Sequence, residues 1–234
     1  MIVEKRVILL NKNWLFSRAE ENGMTAPEYV CLPHSVKLTP ANSSGCRNFQ
    51  GVCKYLKSIF VPHEYKGKKL FLRFEGAMGK SALYINGNEV SRHFCGYTPF
   101  ITDITDNVNY GEENEIAITL DNSDDPLIPP GKPQDGLDFS YDGGLYRSAT
   151  LTVCEPLYIT DPILANEVGG GGIFVWYTDV SESSAAVHIR AHIKNEYPKM
   201  KNYSAIIAII SPDGKKNRRN RAEQPPERGL LRIY

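Results

Sequence analysis

The residues best suited to bind a ligand lie in one segment, which follows a loop rich in proline and glycine at residues 126–137. The segment reads Asp138-Phe139-Ser140-Tyr141-Asp142-Gly143-Gly144-Leu145-Tyr146-Arg147. Carboxylates and cations hold sugar hydroxyls, and aromatic rings stack against the C–H faces of a sugar. A structural role explains the same residues: Gly143 and Gly144 in a bulge, Tyr146 in the core, and Arg147 paired with an internal carboxylate. Composition alone favours the structural role.

A second segment, Gly76-Ala77-Met78-Gly79-Lys80-Ser81, ends like a phosphate-binding P-loop. That motif needs a glycine five positions before Gly79, where this chain has Phe74, and it must begin a helix. The segment lies between two predicted strands, so we interpret it as a hairpin connection. The four glycines Gly169–Gly172 are likewise predicted to form a loop, because no helix follows them.

No metal and no cofactor is expected. His188 and His192 share a strand face but lie about 13 Å apart along it, too far to ligate one zinc ion. The turn at residues 121–125 has oxygen ligands that could hold calcium, yet it lacks the glycine and distal glutamate of an EF-hand, and a solvated turn is favoured. The cysteines are odd in number and contain no C-x-x-C pair: Cys31, Cys46, Cys53, Cys95 and Cys154.

Charge argues against a nucleic-acid or membrane partner, because 27 basic and 27 acidic residues cancel. The basic cluster of Lys215, Lys216, Arg218, Arg219 and Arg221 could contact phosphates, but it has no interleaved aromatic rings, and an irregular tail is favoured. No apolar run reaches the roughly 20 residues that a membrane helix needs. The apolar stretch after Arg6 is too short for a signal peptide. We therefore expect a cytoplasmic protein, or a periplasmic or secreted one if a leader has been removed.

The elements that position these residues are strands, since hydrophobicity alternates with a period of two nearly everywhere. Leu83 and Ile85 lead into Asn86-Gly87, a strong hairpin signal. Further alternating segments are predicted at residues 69–76, 116–120, 149–153, 173–180 and 187–193. Residues 204–211 carry a continuous apolar run, which predicts a strand covered on both faces. Short antiparallel strands separated by turns indicate an all-β chain built from sandwiches.

A domain boundary is predicted near residue 155, where Pro156 and Pro162 bracket an extended stretch. The first domain spans residues 1–158. Residues 159–214 carry about three strands, too few for an immunoglobulin-like sandwich, which needs about seven. That count predicts an unpaired strand edge and an uncovered apolar face. Residues 215–234 are predicted to be an atypical basic tail.

Many short motifs occur in one order along the first domain. They are Leu32-Pro33-His34, residues 55–62, Phe74-Glu75-Gly76, residues 82–87, Gly96-Tyr97-Thr98-Pro99-Phe100, residues 103–105, residues 111–115, residues 121–123 and residues 143–147. Over residues 10–158 they resemble the N-terminal sugar-binding domain of glycoside hydrolase family 2, the β-galactosidase and β-glucuronidase family. Residues 159–214 resemble the start of that family's immunoglobulin-like second domain. The resemblance implies a jelly-roll sandwich of the galactose-binding type followed by a partial immunoglobulin-like sandwich.

The resemblance also implies a function. In the family, a third domain, a TIM barrel, carries both catalytic glutamates of a retaining glycosidase, and none of the Asn-Glu pairs here has the proline of its acid/base motif. The chain is therefore expected to be the inactive N-terminal part of a β-galactosidase-like enzyme, with a carbohydrate substrate and the barrel as its partners. Asp138 lines up with an aspartate that contacts sugar hydroxyls, whereas Gly143, Gly144, Tyr146 and Arg147 match a motif that supports the fold. Tyr97 is predicted to be a packing residue.

Two other functions remain open. A self-sufficient carbohydrate-recognition module would bind sugar without any barrel. An assembly module would pair its exposed strands between chains as a homo-oligomer, and a strictly monomeric chain would count against it.

Overall fold

The computed structural model describes residues 5–37, 48–212, 214, 216–224 and 230–233. Within them regular structure is almost entirely β, since the helical residues form two 3₁₀ turns, His63–Tyr65 and Gln134–Gly136. The all-β prediction is confirmed. Contacts divide the chain into a unit of Lys5–Val153 and a second unit that continues from Cys154. In the part described, no helix has the length and apolarity to cross a membrane.

The first unit contains two sheets. One has the order β1 (Lys5–Leu9), β11 (Ala149–Cys154), β6 (Lys69–Phe74) and β9 (Phe100–Asp103). The other has seven strands in the order β3 (Gly23–Met24), β2 (Trp14–Glu20), β5 (Val52–Val61), β10 (Glu112–Asp121), β7 (Lys80–Ile85) and β8 (Asn88–Phe94), with β4 (Glu28–Val30) paired to β2.

Alternation explains the packing of the larger sheet. In the long antiparallel pair β5–β10, Tyr55 and Ile118 are opposite each other and both are buried, while Lys54 pairs with Thr119 on the other face. Side chains on an antiparallel strand alternate between the two faces, and β7 accordingly buries every second residue. The core of the first unit combines side chains from both sheets. Its large, fully buried members include Trp14, Phe74, Leu72, Leu83 and Ile116.

The tip of the β7–β8 hairpin forms as its sequence predicts. Asn86 and Gly87 have φ values of 50° and 82°, the left-handed geometry that a type I′ turn requires. Asn114, which is almost completely buried, fixes this end of the sheet. Its Oδ1 accepts from Asn86 Nδ2 at 2.8 Å and from the Asn109 amide at 2.7 Å. Its Nδ2 donates to the carbonyl oxygens of Asn109 and Glu112, so every hydrogen-bonding position of the amide is used.

The interpretation of residues 76–81 as a hairpin connection is wrong. β6 belongs to the four-stranded sheet and β7 to the seven-stranded sheet, so the segment between them crosses from one layer to the other. Gly79 makes this crossing possible, because its φ is +92° and a side chain there would overlap the carbonyl oxygen of Asp121. A strand, not a helix, follows the glycines.

The second unit begins earlier than residue 159. β12 (Leu157–Ile159) pairs with β14 (Ala186–Asn195), and β14 also pairs with β13 (Ile173–Thr178) and β17 (Leu230–Ile233). A two-stranded sheet joins β15 (Tyr203–Ile210) to β16 (Lys216–Gln224). The extended stretch after Pro156 therefore begins with a strand of this unit.

Two expectations about the end of the chain are corrected. The basic stretch from Lys216 to Gln224 is a strand and not an irregular tail, because β15 offers an open edge whose backbone groups it pairs; Lys215, residues 225–229 and Tyr234 lie outside the described residues. β15 is also not covered on both faces: Ile206 and Ile210 are exposed, since the described sheet around this strand has two members.

Candidate functional site

The candidate site is a cluster of loops in the first unit, built around residues 143–148. Backbone hydrogen bonds join this segment to two other loops: His34 donates to Leu145 at 2.8 Å, Val36 to Gly143 at 3.0 Å, and Met78 to Gly144 at 3.1 Å. The carbonyl oxygens of this segment thus pair backbone N–H groups of loops that belong to no sheet. We call it the central segment.

The two glycines allow the central segment to lie against its neighbours. A Cβ on Gly144, whose φ is +100°, would overlap the hydroxyl of Tyr55 and lie 3.0 Å from the carbonyl oxygen of His34. A Cβ on Gly143 would lie 2.7 Å from Asn122 Nδ2. Both glycines sit in irregular backbone and not in a strand bulge, which corrects the structural interpretation of this pair.

A buried tyrosine and a half-buried histidine support the central segment from the core side. The Tyr55 hydroxyl lies 2.8 Å from His34 Nδ1 and accepts a hydrogen bond from the Leu145 amide at 3.3 Å. Burial lowers the pKa of His34, an effect larger than the opposing influence of Glu28. The neutral ring that burial favours can accept a hydrogen bond from the Tyr55 hydroxyl at Nδ1, so the hydroxyl donates one hydrogen bond and accepts one.

This pair predicts a pH dependence of stability. Because the pKa of His34 in the folded chain is below its ordinary value of 6.5, its contribution is present above that value and is lost as pH falls through it. We expect the free energy of unfolding, measured by urea denaturation between neutral and mildly acid pH, to fall more steeply for the wild type than for His34→Gln. His93, whose pKa burial also lowers, is common to both proteins. Parallel curves for the two proteins would contradict the prediction.

Tyr146 and Arg147 connect loops and do not enter the core, which corrects the expected positions of both. Tyr146 is half-buried, and its hydroxyl donates to the Gly96 carbonyl oxygen at 2.5 Å. Arg147 is exposed, and its guanidinium lies over the Tyr146 ring at 5.6 Å with no ion pair among the described residues. Gly76 leaves room for the ring, because a Cβ there would lie 2.8 Å from Tyr146 Cζ.

Tyr97 lies near Tyr141 and Tyr146. Its exposed fraction is 40%, which is higher than that of a buried packing residue. Partial burial raises its pKa, and the neighbouring Tyr141 and Tyr146 raise it further. Phe100, in the same motif, is buried and stacks on both Phe74 and His93. The role of Tyr97 stays a prediction.

Asp138 lies on the open side of the cluster, just after the Gln134–Gly136 turn. Its side chain is exposed and makes no hydrogen bond or ion pair with the described residues, and the same holds for Asp142. An exposed carboxylate with all its acceptor positions available can bind two neighbouring hydroxyls. The predicted role of Asp138 in sugar binding remains a prediction.

Asn48 is a candidate that sequence reasoning missed. Asn48 is 8% exposed, and its backbone N–H donates a hydrogen bond to Gln134 Oε1 at 3.1 Å. This bond connects Asn48 to the turn before Asp138. Within the described residues, Asn48 Oδ1 and Gln134 Nε2 have no hydrogen-bond partner although both atoms are buried. Buried polar atoms are normally paired, so an unpaired acceptor and donor beside a candidate site point to ligand binding. Their 86-residue separation in sequence hides this pairing.

The acidic turn at residues 121–125 is part of the scaffold. Lys80 Nζ lies 3.1 Å from Asp125 Oδ2 and 3.7 Å from Asp121 Oδ2. A backbone hydrogen bond from Leu127 and the Lys80 ammonium lower the pKa of Asp125. Asn122 binds the backbone of Phe49 and Gly51 through its amide, at 2.6 and 2.9 Å. The ammonium group of Lys80 therefore pairs with two of the three carboxylates of this turn.

The histidines of the second unit are each paired with a threonine. His188 Nε2 lies 2.8 Å from Thr178 Oγ1, and His192 Nδ1 lies 2.9 Å from Thr160 Oγ1. Among the residues described, no three His, Cys, Asp or Glu side chains are grouped closely enough to hold a metal ion. The described cysteines, Cys31, Cys53, Cys95 and Cys154, are free thiols, and Cys46 lies outside the described residues.

A two-layer antiparallel sandwich with long loops meeting around a polar surface is the architecture of jelly-roll carbohydrate-binding domains. The family model for the sugar binding domain of glycosyl hydrolases family 2 matches residues 3–155. The chain therefore belongs to glycoside hydrolase family 2, as its motifs predict.

Three relatives illustrate the match. The chain is 30% identical to a β-glucuronidase of Bacteroides fragilis over 91% of this chain and 29% of that protein. It is 36% identical to a β-galactosidase of Thermoanaerobacter pseudethanolicus over 65% of this chain and 20% of that protein. The solved structure of a family 2 β-glucuronidase matches the fold of the whole chain with a TM-score of 0.80 at 24% identity. The match covers 26% of that structure. The chain thus spans less than a third of each relative.

Proposed function

We propose that this chain is the N-terminal, non-catalytic part of a retaining glycoside hydrolase of the β-galactosidase type, which hydrolyses a terminal β-linked sugar. The family match over residues 3–155 supports the reaction class. The observation that carries the role of this chain is the pairing of Asn48 with Gln134, directly before the exposed Asp138. Gln134 begins the turn that precedes Asp138, and one amide atom of each residue, Asn48 Oδ1 and Gln134 Nε2, has no partner among the described residues.

Each of these groups has a distinct task in binding. The Asp138 carboxylate accepts hydrogen bonds from sugar hydroxyls, and charge-assisted bonds of this kind are the strongest available to a neutral sugar. Asn48 Oδ1 is a buried acceptor and Gln134 Nε2 a buried donor without a partner among the described residues, so we assign them to a hydroxyl that enters this region with the ligand.

The reaction itself requires two carboxylates about 5–5.5 Å apart, one as nucleophile and one as acid/base. The resemblance assigns both to a barrel, where the acid/base lies in an Asn-Glu-Pro motif. The Asn-Glu pairs of this chain lack the proline: Asn88-Glu89, Asn114-Glu115, Asn166-Glu167 and Asn195-Glu196. The chain therefore orients the sugar while the barrel cleaves the glycosidic bond.

The proposal predicts that the chain alone does not turn over a chromogenic β-galactoside. It also predicts that the DNA adjoining its coding region encodes a TIM barrel with an Asn-Glu-Pro motif. The measurements are a hydrolysis assay on the purified chain and sequencing of that DNA. Hydrolysis above background by the chain, or an adjoining sequence without a barrel, would contradict the proposed function.

A further inference from the structure

We propose a second carbohydrate site on the outer face of the seven-stranded sheet, a groove that binds a neutral β-linked oligosaccharide. It lies where β5, β10, β7 and β8 run side by side, away from the core. The groove has a cavity volume of about 310 Å³, within the range of small-molecule sites.

Strand register defines the groove as two parallel rows of side chains. One row joins directly paired residues, Val52, Asp121, Lys80 and Phe94, and the next row joins Lys54, Thr119, Ala82 and Arg92. Residues two apart on a strand share a face, so both rows point to the same side of the sheet. The residues between them, such as Cys53 and Leu120, are buried in the core on the opposite face.

The heights of the side chains make this part of the sheet concave. Ala82 and Thr119 are small and occupy the two central strands of the second row. Arg92 on β8 and Lys54 on β5 are long and flank them. In the first row, Phe94 and Val52 stand at the two sides and are 53% and 42% exposed. The floor is therefore lowest at Ala82 and Thr119, and the ion pair of Lys80 with Asp121 closes it at the first row.

Its charges favour a neutral ligand. Lys80 is paired with Asp125 and Asp121, and Arg92 holds Glu89 through two hydrogen bonds, from Nε at 2.7 Å and from Nη2 at 2.9 Å. Because Lys80 and Arg92 each have a carboxylate partner, an anionic ligand would disturb these ion pairs, and only Lys54 at one side of the groove has no carboxylate partner among the described residues. A polyhydroxyl ligand needs no net charge.

The remaining groups match the surface of a sugar. Phe94 presents an aromatic ring on which the C–H face of a pyranose can stack, beside the apolar Val52 and Ala82. Arg92 Nη1 has no hydrogen-bond partner among the described residues, and the Thr119 hydroxyl can donate or accept. A ring at one side and paired polar groups along the floor suit an extended chain of equatorially linked sugars better than a single unit.

The test is calorimetric titration of the intact chain with cellotetraose, galactotetraose and mannotetraose. We expect saturable binding of at least one of them, and Phe94→Ala should weaken it about tenfold, the effect of losing one stacked ring. Ala82→Leu, which raises the floor and keeps the ring, should weaken binding as well. The uronic-acid analogue of cellotetraose should bind less tightly than the neutral form.

Two controls separate this groove from the rest of the surface. Phe60→Ala removes a ring that is 58% exposed on the same strand as Val52, about 26 Å away, and should leave the affinity unchanged. Asp142→Ala, which removes an exposed carboxylate that is assigned no sugar contact, should also leave the affinity unchanged. The proposal is overturned if none of the tetrasaccharides binds at millimolar concentration, or if Phe60→Ala weakens binding as much as Phe94→Ala. It is equally overturned if Phe94→Ala alters only the oligomeric state in sedimentation, since the groove would then bind a second copy of the chain.

Discussion

Replacing Gly144 with alanine is expected to lower the free energy of unfolding by about 3 kcal/mol, through a strained backbone and a steric overlap together. At φ +100° any Cβ is strained, and here it would also overlap the Tyr55 hydroxyl and approach the His34 carbonyl oxygen at 3.0 Å. Neither neighbour can move easily. Tyr55 is fully buried, and the His34 backbone is hydrogen-bonded to Leu145. Urea denaturation of the purified chain measures the loss.

Gly67→Ala is the matched control. Its φ of +86° is similar, but nothing lies within 4 Å of the added Cβ. This variant should lose only the backbone contribution, about 1 kcal/mol. Equal losses in the two variants would mean that the contact with Tyr55 contributes nothing and that the central segment can move away from it.

Replacing Asp138 with alanine is expected to lower kcat/KM of the complete enzyme by about tenfold to a hundredfold, the effect of losing a charged hydrogen bond to substrate. The loss should appear with little change in the melting temperature, because Asp138 is exposed and contacts no described residue. Steady-state kinetics on a chromogenic β-galactoside, with the barrel present, measure it. This prediction depends on the proposed function.

Asp142→Ala controls for the general loss of a carboxylate. Asp142 is also exposed and unpaired among the described residues, and it lies in the same loop. It should keep kcat/KM close to the wild-type value, since the family motif assigns the sugar contact to Asp138. A larger effect at Asp142 than at Asp138 would show that Asp142, and not Asp138, makes the sugar contact that the family resemblance implies.

The sequence predicted best what is encoded locally. Asn86-Gly87 forms the expected turn, because two adjacent residues alone decide whether positive φ is accessible. The alternation at residues 116–120 correctly assigns Ile116, Ile118 and Leu120 to the core, because a strand's faces depend only on odd and even spacing. On the other face, Thr119 is partly exposed but Ala117 is buried. The order of family motifs then identified the first domain.

The same reasoning failed where the outcome depends on distant residues. The crossing at Gly76–Ser81 was interpreted as a hairpin because alternation says nothing about which sheet a strand joins. The basic stretch at Lys216–Gln224 has no strand pattern of its own and follows the open edge of β15. No sequence pattern marks Asn48 as a candidate, because the feature that does so is its hydrogen bond to Gln134, 86 residues away.

By itself, then, the sequence determined the fold class, the family and the residue types of the candidate loop at residues 138–147. Periodicity and short motifs are properties of residues close together in the sequence, and they can therefore be recognised without a structure. Only the tertiary structure decided that Tyr146 joins loops, that Asn48 stands beside the turn before Asp138, and that Ala82 and Thr119 form the floor of a groove. Each of these depends on strand register and loop convergence, which bring together residues separated by tens of positions.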